Sequence, residues 1–527
     1  MNNRKRPRTF LLLSCMLMLS SSLVFADQNR LNVLLSVADD LSYDSLGFAG
    51  GVAPDVTPNI DLLYRESISF KKAFSTVSVC QPSRQAMLTG LLPHNYGSFG
   101  FFPIKKKVST LPSILGENGY VTGNIHKIHH MMPEEIFGWH FTNDSLGLHD
   151  ADGVVGRDPS AFAKGLKNLI RAADQRNAPF FLVANSADPH RPFVGDPVQF
   201  NGWFFGYETV ELQLPSREYT QEEVRVPDTL VDVPGVRMDL ARYASSVRRL
   251  DDTVGACLEV LDEFGKADST LVIFVSDNGM PLPFAKFDTY FESNHTPLLI
   301  RLPGKRANVN DTHLVSLMDI TPTVLDLIGI PVPQGLDGRS LRPLIEREDA
   351  ADWREEIVFL RYEDIYYGDG LKHRLKNEPD FTEKLESWGW VPRPDHEVEG
   401  TYSRTRRQRC YFDGRFAYIY NDWYREDGLD FAPMGAGVPY PDRAYFGLNQ
   451  AAGKNKDAAD RVNTYLLRAP EELYDWTKDP ASLQNLARNP EFSVQLKTSR
   501  ENLRQWMQNN DDPLLNDFET KIINADN

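Results

Sequence analysis

The chain has little cysteine: four residues in 527, at positions 15, 80, 257 and 410. So few thiols exclude a disulfide scaffold and leave a Cys257–Cys410 bridge as one open possibility. Positive charge is also short. Asp and Glu number 73 against 57 Lys and Arg, a formal net charge of −16. That excludes general binding to nucleic acid or to anionic membranes, but not a small anion met by a local cluster of cations. There is no repeat at solenoid or propeller periods and no low-complexity tract. No His/Cys spacing of a soft-metal site occurs. Beyond residue 26 no apolar run approaches the roughly 20 residues of a membrane helix.

What is present begins at the amino terminus. Arg4, Lys5, Arg6 and Arg8 precede the apolar run "TFLLLSCMLMLSSSLVF", and Ala26 supplies a small residue before Asp27. This is the pattern of a secretory signal over 1–26, so the expected product is periplasmic or secreted, without stable membrane insertion. "LLSC" lies too early in the run to serve as a lipoprotein cleavage box. Loss of the signal removes four basic residues and no acidic ones. The length exceeds the roughly 250–300 residues at which single cores stop growing, so two domains are expected. The charged stretch "EREDAADWREE" suggests a boundary near 350, giving 27–350 and 351–527.

Three short apolar runs end in polar residues. "LNVLLSVADD" (31–40) ends in Asp39-Asp40, "APFFLVANSADPH" (178–190) in Asp188 and His190, and "STLVIFVSDNG" (269–279) in Asp277-Asn278. Each reads as a fully buried strand. Helical patterns follow Thr57 and begin at Leu111, and another spans 237–265, so strands and helices alternate. The alternation predicts a mostly parallel sheet covered on both faces, with ligands beyond the carboxyl ends of its strands. A further helix is expected over 313–330, capped by Asp319 or Thr321. Beyond 350, Asp413-Gly414 between two aromatic-rich runs predicts a hairpin, and 489–510 an amphipathic terminal helix. A smaller antiparallel sheet carrying that helix is therefore expected. The polar segment 363–408 has no evident placement.

Singly, the polar residues have ordinary readings. Asp39-Asp40 and Asp277-Asn278 could cap helices or form turns, His190 could sit in a turn between prolines, and Arg84 could bridge on a helix. Lys127, His129 and Lys286 could lie on the solvated surface. Taken together at two strand ends, Asp39, Asp40, Asp277 and Asn278 offer four hard oxygen donors, suited to Ca²⁺ or Mg²⁺. Cys80 in "SVCQPSRQAML" is an odd thiol in an exported chain and calls for a chemical explanation.

"C-x-P-S-R" followed by "QAMLTG" resembles the signature of type I sulfatases, in which the cysteine is oxidised to formylglycine. "NVLLSVADD", "SRQAMLTGLLPH", "ADPHRPF", "LVIFVSDNG" and "ELYDWTKDPASLQNLARNP" resemble successive sulfatase blocks, in the family's order, from about residue 31 to 510. "SVCQPSR" and "SDNGMPLP" look most like the sulfamidase (heparan N-sulfatase) branch. The resemblance implies an α/β fold: an alkaline-phosphatase-like mixed sheet sandwiched by helices, with a smaller C-terminal antiparallel-sheet subdomain. It implies one Ca²⁺ held by Asp39, Asp40, Asp277 and Asn278 beside the residue derived from Cys80. It also implies a partner enzyme that generates the formylglycine. Arg84, Lys127, His129, His190 and Lys286 match the family's remaining site positions.

The implied reaction is hydrolysis of a sulfate ester on a sulfated saccharide. In the family, an aldehyde hydrate attacks sulfur through one hydroxyl and expels sulfate through the other. Lys127, Lys286, Arg84 and the metal would neutralise sulfate oxygens, with the amino end of a helix containing Pro82 beneath them. His190 would protonate the leaving group with Lys286 assisting, and His129 would take the proton of the second hydroxyl. Two positions depart from the pattern. His126 stands where glycine usually precedes the lysine, and Lys286 where the sulfamidase branch tends to carry arginine. The alternatives are an N-sulfoglucosamine sulfohydrolase and a phosphate or phosphonate monoester hydrolase. Substrate contacts are expected from loops 140–165, 195–225 and 363–408.

Overall fold

A computed structural model of the chain describes residues 30–148, 154–196, 212–347, 352–362, 407–422, 443–466 and 468–524. The expected signal at 1–26 and most of the 363–408 segment lie outside these residues.

Seven strands form the main sheet: β1 (Asn32–Asp39), β2 (Ile68–Phe70), β3 (Val121–Ile125), β4 (Phe180–Pro189), β5 (Thr270–Ser276), β6 (Leu298–Arg301) and β7 (Asn308–Asn310). Their order across the sheet is β3-β4-β1-β5-β6-β2-β7. Only β6 runs against the others. The three expected buried strands are β1, β4 and β5, side by side at the centre. Each is buried along its whole length, as a strand covered on both faces must be.

The period-two alternation of these strands divides their side chains between two cores. Leu34 and Ala38 of β1 and Val272 and Phe274 of β5 join the apolar cluster under α1 (Pro58–Glu66), α4 (Pro159–Gln175) and α5 (Pro234–Glu263). Val33, Leu35 and Val37, with Ile273 and Val275, face the cluster under α2 (Cys80–Thr89), α3 (Leu111–Glu117) and α6 (Ile320–Leu327). The long helix expected at 237–265 is α5. The helix expected across 313–330 is shorter than its periodicity suggested. Val315–Ser316 pairs with Ala73–Phe74 as a two-residue strand, and Leu317–Asp319 forms a 3-10 turn before α6 begins. Ser316 and Asp319 form a capping box at the start of this segment: the Ser316 hydroxyl accepts from the Met318 amide, and Asp319, one of the two expected caps, accepts from the Ser316 amide at 2.8 Å. Asp319 also receives a two-pronged ion pair from Arg354, both contacts at 2.7 Å.

The second sheet is antiparallel: β8 (Ile357–Arg361), β9 (Gln408–Phe412), β10 (Phe416–Asn421) and β11 (Glu471–Asp475), in that order. The Asp413-Gly414 hairpin joins β9 to β10, and helix α7 (Ser493–Asn509) packs on this sheet through Leu503 and Met507. Phe359 of β8 lies 5.3 Å from the ring of Phe74, and both apolar clusters contain residues of both sheets. Cys80, Cys257 and Cys410 are buried free thiols, so the Cys257–Cys410 bridge is not formed. Cys257 and Cys410 pack among apolar side chains on separate elements. Within the described residues no helix is long and apolar enough to cross a membrane.

Candidate active site

Parallel strands bring their carboxyl ends to one edge, and here four of them do so together. Ala38 pairs with Ser276, Asp39 with Pro189 and Ile125 with Ala184, which sets Asp39-Asp40, Asp277-Asn278, His190 and Lys127 around one point. Cys80 is the first residue of α2, whose amino end enters the same point, with Pro82 in its first turn. Carboxylate oxygens of Asp39, Asp40 and Asp277 lie within 4.8 Å of one another. Asn278 donates its amide to Asp40 Oδ1 at 2.8 Å, while its own Oδ1 is buried and accepts no hydrogen bond among the described residues. Three carboxylates and an orphaned amide oxygen, all buried, are the donor set of a hard cation such as Ca²⁺.

Three cations face these carboxylates. Lys127 Nζ is 2.5 Å from Asp39 Oδ2, and Lys286 Nζ is 2.5 Å from Asp40 Oδ1 and 3.2 Å from Cys80 Sγ. Arg84 is committed below: it contacts Asp277 at 2.8 Å, Asp39 at 3.5 Å, the Asn185 amide oxygen and the Ala38 carbonyl. Ser83 donates to the Asp277 carbonyl at 2.6 Å. Two residues of the "C-x-P-S-R" stretch thus hold Asp277, nearly 200 positions away in the chain, by backbone and side chain at once.

Burial dominates the titration of the site. It pushes the Cys80 thiol up, aided by Asp39 and only partly opposed by Lys286, so Cys80 is a neutral thiol at pH 7. A cysteine that attacks as a thiolate needs the opposite shift. Burial works against the Asp39 carboxylate, but Lys127, His190 and Arg84 hold it well below the usual range. Asp277 is pushed up to about 7 by burial, with Asp39 and Asp40 repelling its charge against Arg84. Burial, then Lys286, lowers His190 to about 4; burial, then Lys127, lowers His129 to about 3. Both imidazoles are neutral at pH 7. His190 Nδ1 donates to the Arg191 carbonyl, which leaves Nε2 facing Asp40 at 3.7 Å.

Strained backbone gathers here. Asp40, His126, Lys127, Phe284 and Phe287 all have positive φ, between 52° and 69°. At a non-glycine residue this conformation is costly, and the surrounding contacts must hold it. It accounts for the usual glycine at the position of His126: φ there is 58°, the region glycine favours, and the His126 ring is accommodated by Gly156, on which a Cβ would come within 2.6 Å of it. Phe284 and Phe287 bracket Lys286 and turn its segment into the site.

All the expected residues, Asp39, Asp40, Cys80, Arg84, Lys127, His129, His190, Asp277, Asn278 and Lys286, belong to this edge of the sheet. Sequence reasoning missed Asn185, which links Arg84 to Asn124 at 2.8 Å, although a polar residue inside a buried strand was the available signal. It also missed Asp288, two residues after Lys286, which is buried and paired with Arg468. Arg468 also donates to the Tyr290 hydroxyl. No local pattern could have joined residues 180 positions apart. Arg468→Met leaves Asp288 buried without its cation, and the expected loss is about 3 kcal/mol in denaturant unfolding, with lower turnover as the Lys286 segment loosens.

A family model for sulfatases matches residues 31–330. The chain belongs to the sulfatase family. Human N-sulphoglucosamine sulphohydrolase is 30% identical to this sulfatase over 517 residues, covering 92% of this chain and 91% of the relative. An ulvan-active sulfatase of Formosa agariphila is 24% identical over 523 residues, covering 91% and 75%. A solved Bacteroides thetaiotaomicron structure, described with the metabolism of multiple glycosaminoglycans, superposes with a TM-score of 0.62. It is 18% identical and covers 94% of this chain and 99% of that one. The expected likeness to the sulfamidase branch and the alkaline-phosphatase-like α/β fold are both borne out, and the enzyme class is sulfuric ester hydrolase.

Proposed function

We propose that this sulfatase is exported to the periplasm or beyond and hydrolyses a sulfate ester on a sulfated saccharide, with Cys80 converted to formylglycine and one Ca²⁺ bound. The observation that carries the reading is a buried, unionised Cys80 at the head of α2, between Lys286 and the Asp39/Asp40/Asp277 cluster. Such a thiol is inert as a nucleophile, which supports the reading of Cys80 as a precursor. Asp39, Asp40, Asp277 and Asn278, with the oxidised Cys80 side chain, would hold the calcium. The metal supplies positive charge against sulfate oxygens when bound, and the formylglycine hydrate supplies a nucleophilic hydroxyl and a second one that expels sulfate. We read 27–350 as the catalytic domain and 351–527 as a subdomain built onto its cores, with 1–26 as the signal.

The chain's own residues divide the remaining work. Lys127 and Lys286 keep their ammonium groups beside the reacting position and offset the charge of the bound ester. Burial disfavours the Lys286 charge, but Asp40 holds it firmly protonated. Arg84 is spent on Asp277 and Asn185, so its task is to hold the ligand set rather than to touch sulfate. His129, neutral at pH 7, is ready to accept the hydrate proton. His190 is neutral before substrate arrives, and the anionic ester raises its affinity for the proton it then gives to the leaving oxygen.

A second reading, an N-sulfate substrate, draws on the 30% identity to the human sulphohydrolase. Lys286, in place of that branch's usual arginine, supports the O-ester. Turnover of matched O-sulfated, N-sulfated and phosphonate substrates decides between them. We expect kcat/KM at least about tenfold higher for the O-ester, a difference of about 1.4 kcal/mol in transition-state binding. Preference for the N-sulfate makes the second reading correct, and preference for the phosphonate ester sinks both.

A further inference from the structure

We propose that residues 99–107, "FGFFPIKKK", form a binding surface for a second anionic group of the saccharide, on the sugar beyond the reacting one. The inference rests on the sulfatase reading and extends it to the substrate's length and charge. The segment is anchored one residue from the nucleophile. The Phe102 carbonyl accepts three hydrogen bonds: from Gln81 Nε2 at 2.7 Å, Gln85 Nε2 at 3.1 Å and Ser98 Oγ at 2.7 Å. Gln81 directly follows Cys80, and both glutamines lie on α2. On its other side the segment meets the turn that carries His129. The Ile104 amide donates to the Met132 carbonyl at 2.9 Å, and the Phe101 ring meets His130 at 5.5 Å. The segment therefore spans the gap between α2 and the Lys127–His129 turn.

Its two ends differ in chemistry. Phe99, Phe101 and Phe102 are half-buried, each keeping part of a ring open, and aromatic faces of this kind receive the apolar C–H face of a sugar. Lys105, Lys106 and Lys107 are exposed. Lys106 reaches back to the His94 carbonyl at 2.8 Å, and Lys105 lies over the Phe102 ring at 5.8 Å. Neither the Lys105 nor the Lys107 ammonium meets a carboxylate among the described residues. A run of three cations stands out in a chain of net charge −16. The whole-molecule field repels a polyanion, and its effect fades over about 8 Å at physiological salt, so attraction must come from cations close to the site. Amide ladders to the Tyr96 carbonyl hold the backbone of Lys105 and Lys106 in place. A carboxylate or second sulfate on the neighbouring sugar has the matching charge.

The test compares the double variant Lys105→Gln/Lys107→Gln with wild type on two substrates: an uncharged aryl alcohol's sulfate, and an oligosaccharide carrying several sulfates. We expect KM for the oligosaccharide to rise about tenfold with kcat within twofold, and the aryl sulfate to be unaffected. The salt dependence of oligosaccharide kcat/KM should flatten in the variant, and Lys105→Arg/Lys107→Arg should restore it. An unchanged oligosaccharide KM, or an equal loss on both substrates, overturns the proposal. If wild type cleaves neither sulfate, the failure is that of the sulfatase reading.

Discussion

Cys80→Ala is expected to lower sulfate release by about 10⁴-fold or more while the protein stays folded, because in the proposed mechanism it removes the side chain from which the nucleophile is made. The fold has little stake in that sulfur. Cys80 is buried, and its Sγ lies 3.2 Å from Lys286 and 3.7 Å from Asp40, with polar atoms of Asp39 and His190 within 4.8 Å. Truncation to alanine removes one heavy atom at about 1–2 kcal/mol. Circular dichroism and thermal unfolding should therefore match wild type closely, while turnover vanishes. The same logic applies without mutation. Protein carrying unmodified Cys80 has a thiol pushed up by burial and by Asp39, so its activity should scale with the modified fraction found by intact-mass analysis. Near-normal turnover in the alanine variant would sink the mechanism.

Removal of calcium is expected to have a comparable effect. Asp39, Asp40 and Asp277 are buried within 4.8 Å of one another, and Arg84, Lys127 and Lys286 are the cations set against them. Without a dication, burial and the neighbouring carboxylates push Asp277 up to about 7, so it takes a proton near neutrality. Binding the ion must displace that proton, and affinity should weaken as pH falls below about 7. Chelation should abolish turnover, added Ca²⁺ should restore it, and a dye-competition titration should show the loss of affinity toward acid. Calcium at 100 times its dissociation constant should stabilise the fold by about 2.7 kcal/mol, visible as a higher melting temperature. Full activity in verified metal-free protein would count against the Asp39/Asp40/Asp277/Asn278 site.

Much of this site was legible beforehand because buried parallel strands advertise themselves. β1, β4 and β5 read as apolar runs ending in Asp39, His190 and Asp277, and parallel pairing obliges those ends to meet. The strands β2, β6 and β7 were not legible: at three or four residues each they are too short for periodicity to register. The 313–330 stretch misled because a helical spacing of apolar residues also fits a strand, a turn and a short helix in succession, with Ser316 and Asp319 sharing the cap.

By itself, the sequence determined the strand-and-helix order, the hard-oxygen donor set and the presence of a cysteine in a setting that a structural thiol does not need. These are local properties: an apolar run, a carboxylate pair and a short motif stay close along the chain. Only the tertiary structure decided what each cation does. Arg84 and Lys286 have similar charge in the sequence, yet Arg84 is buried against Asp277 and Asn185, while Lys286 lies against the Cys80 sulfur. That difference comes from contacts between residues 101 to 206 positions apart, set by strand order and by left-handed backbone at Asp40, Lys127 and Phe287. Long-range packing sets such contacts, and no pattern along the chain records them.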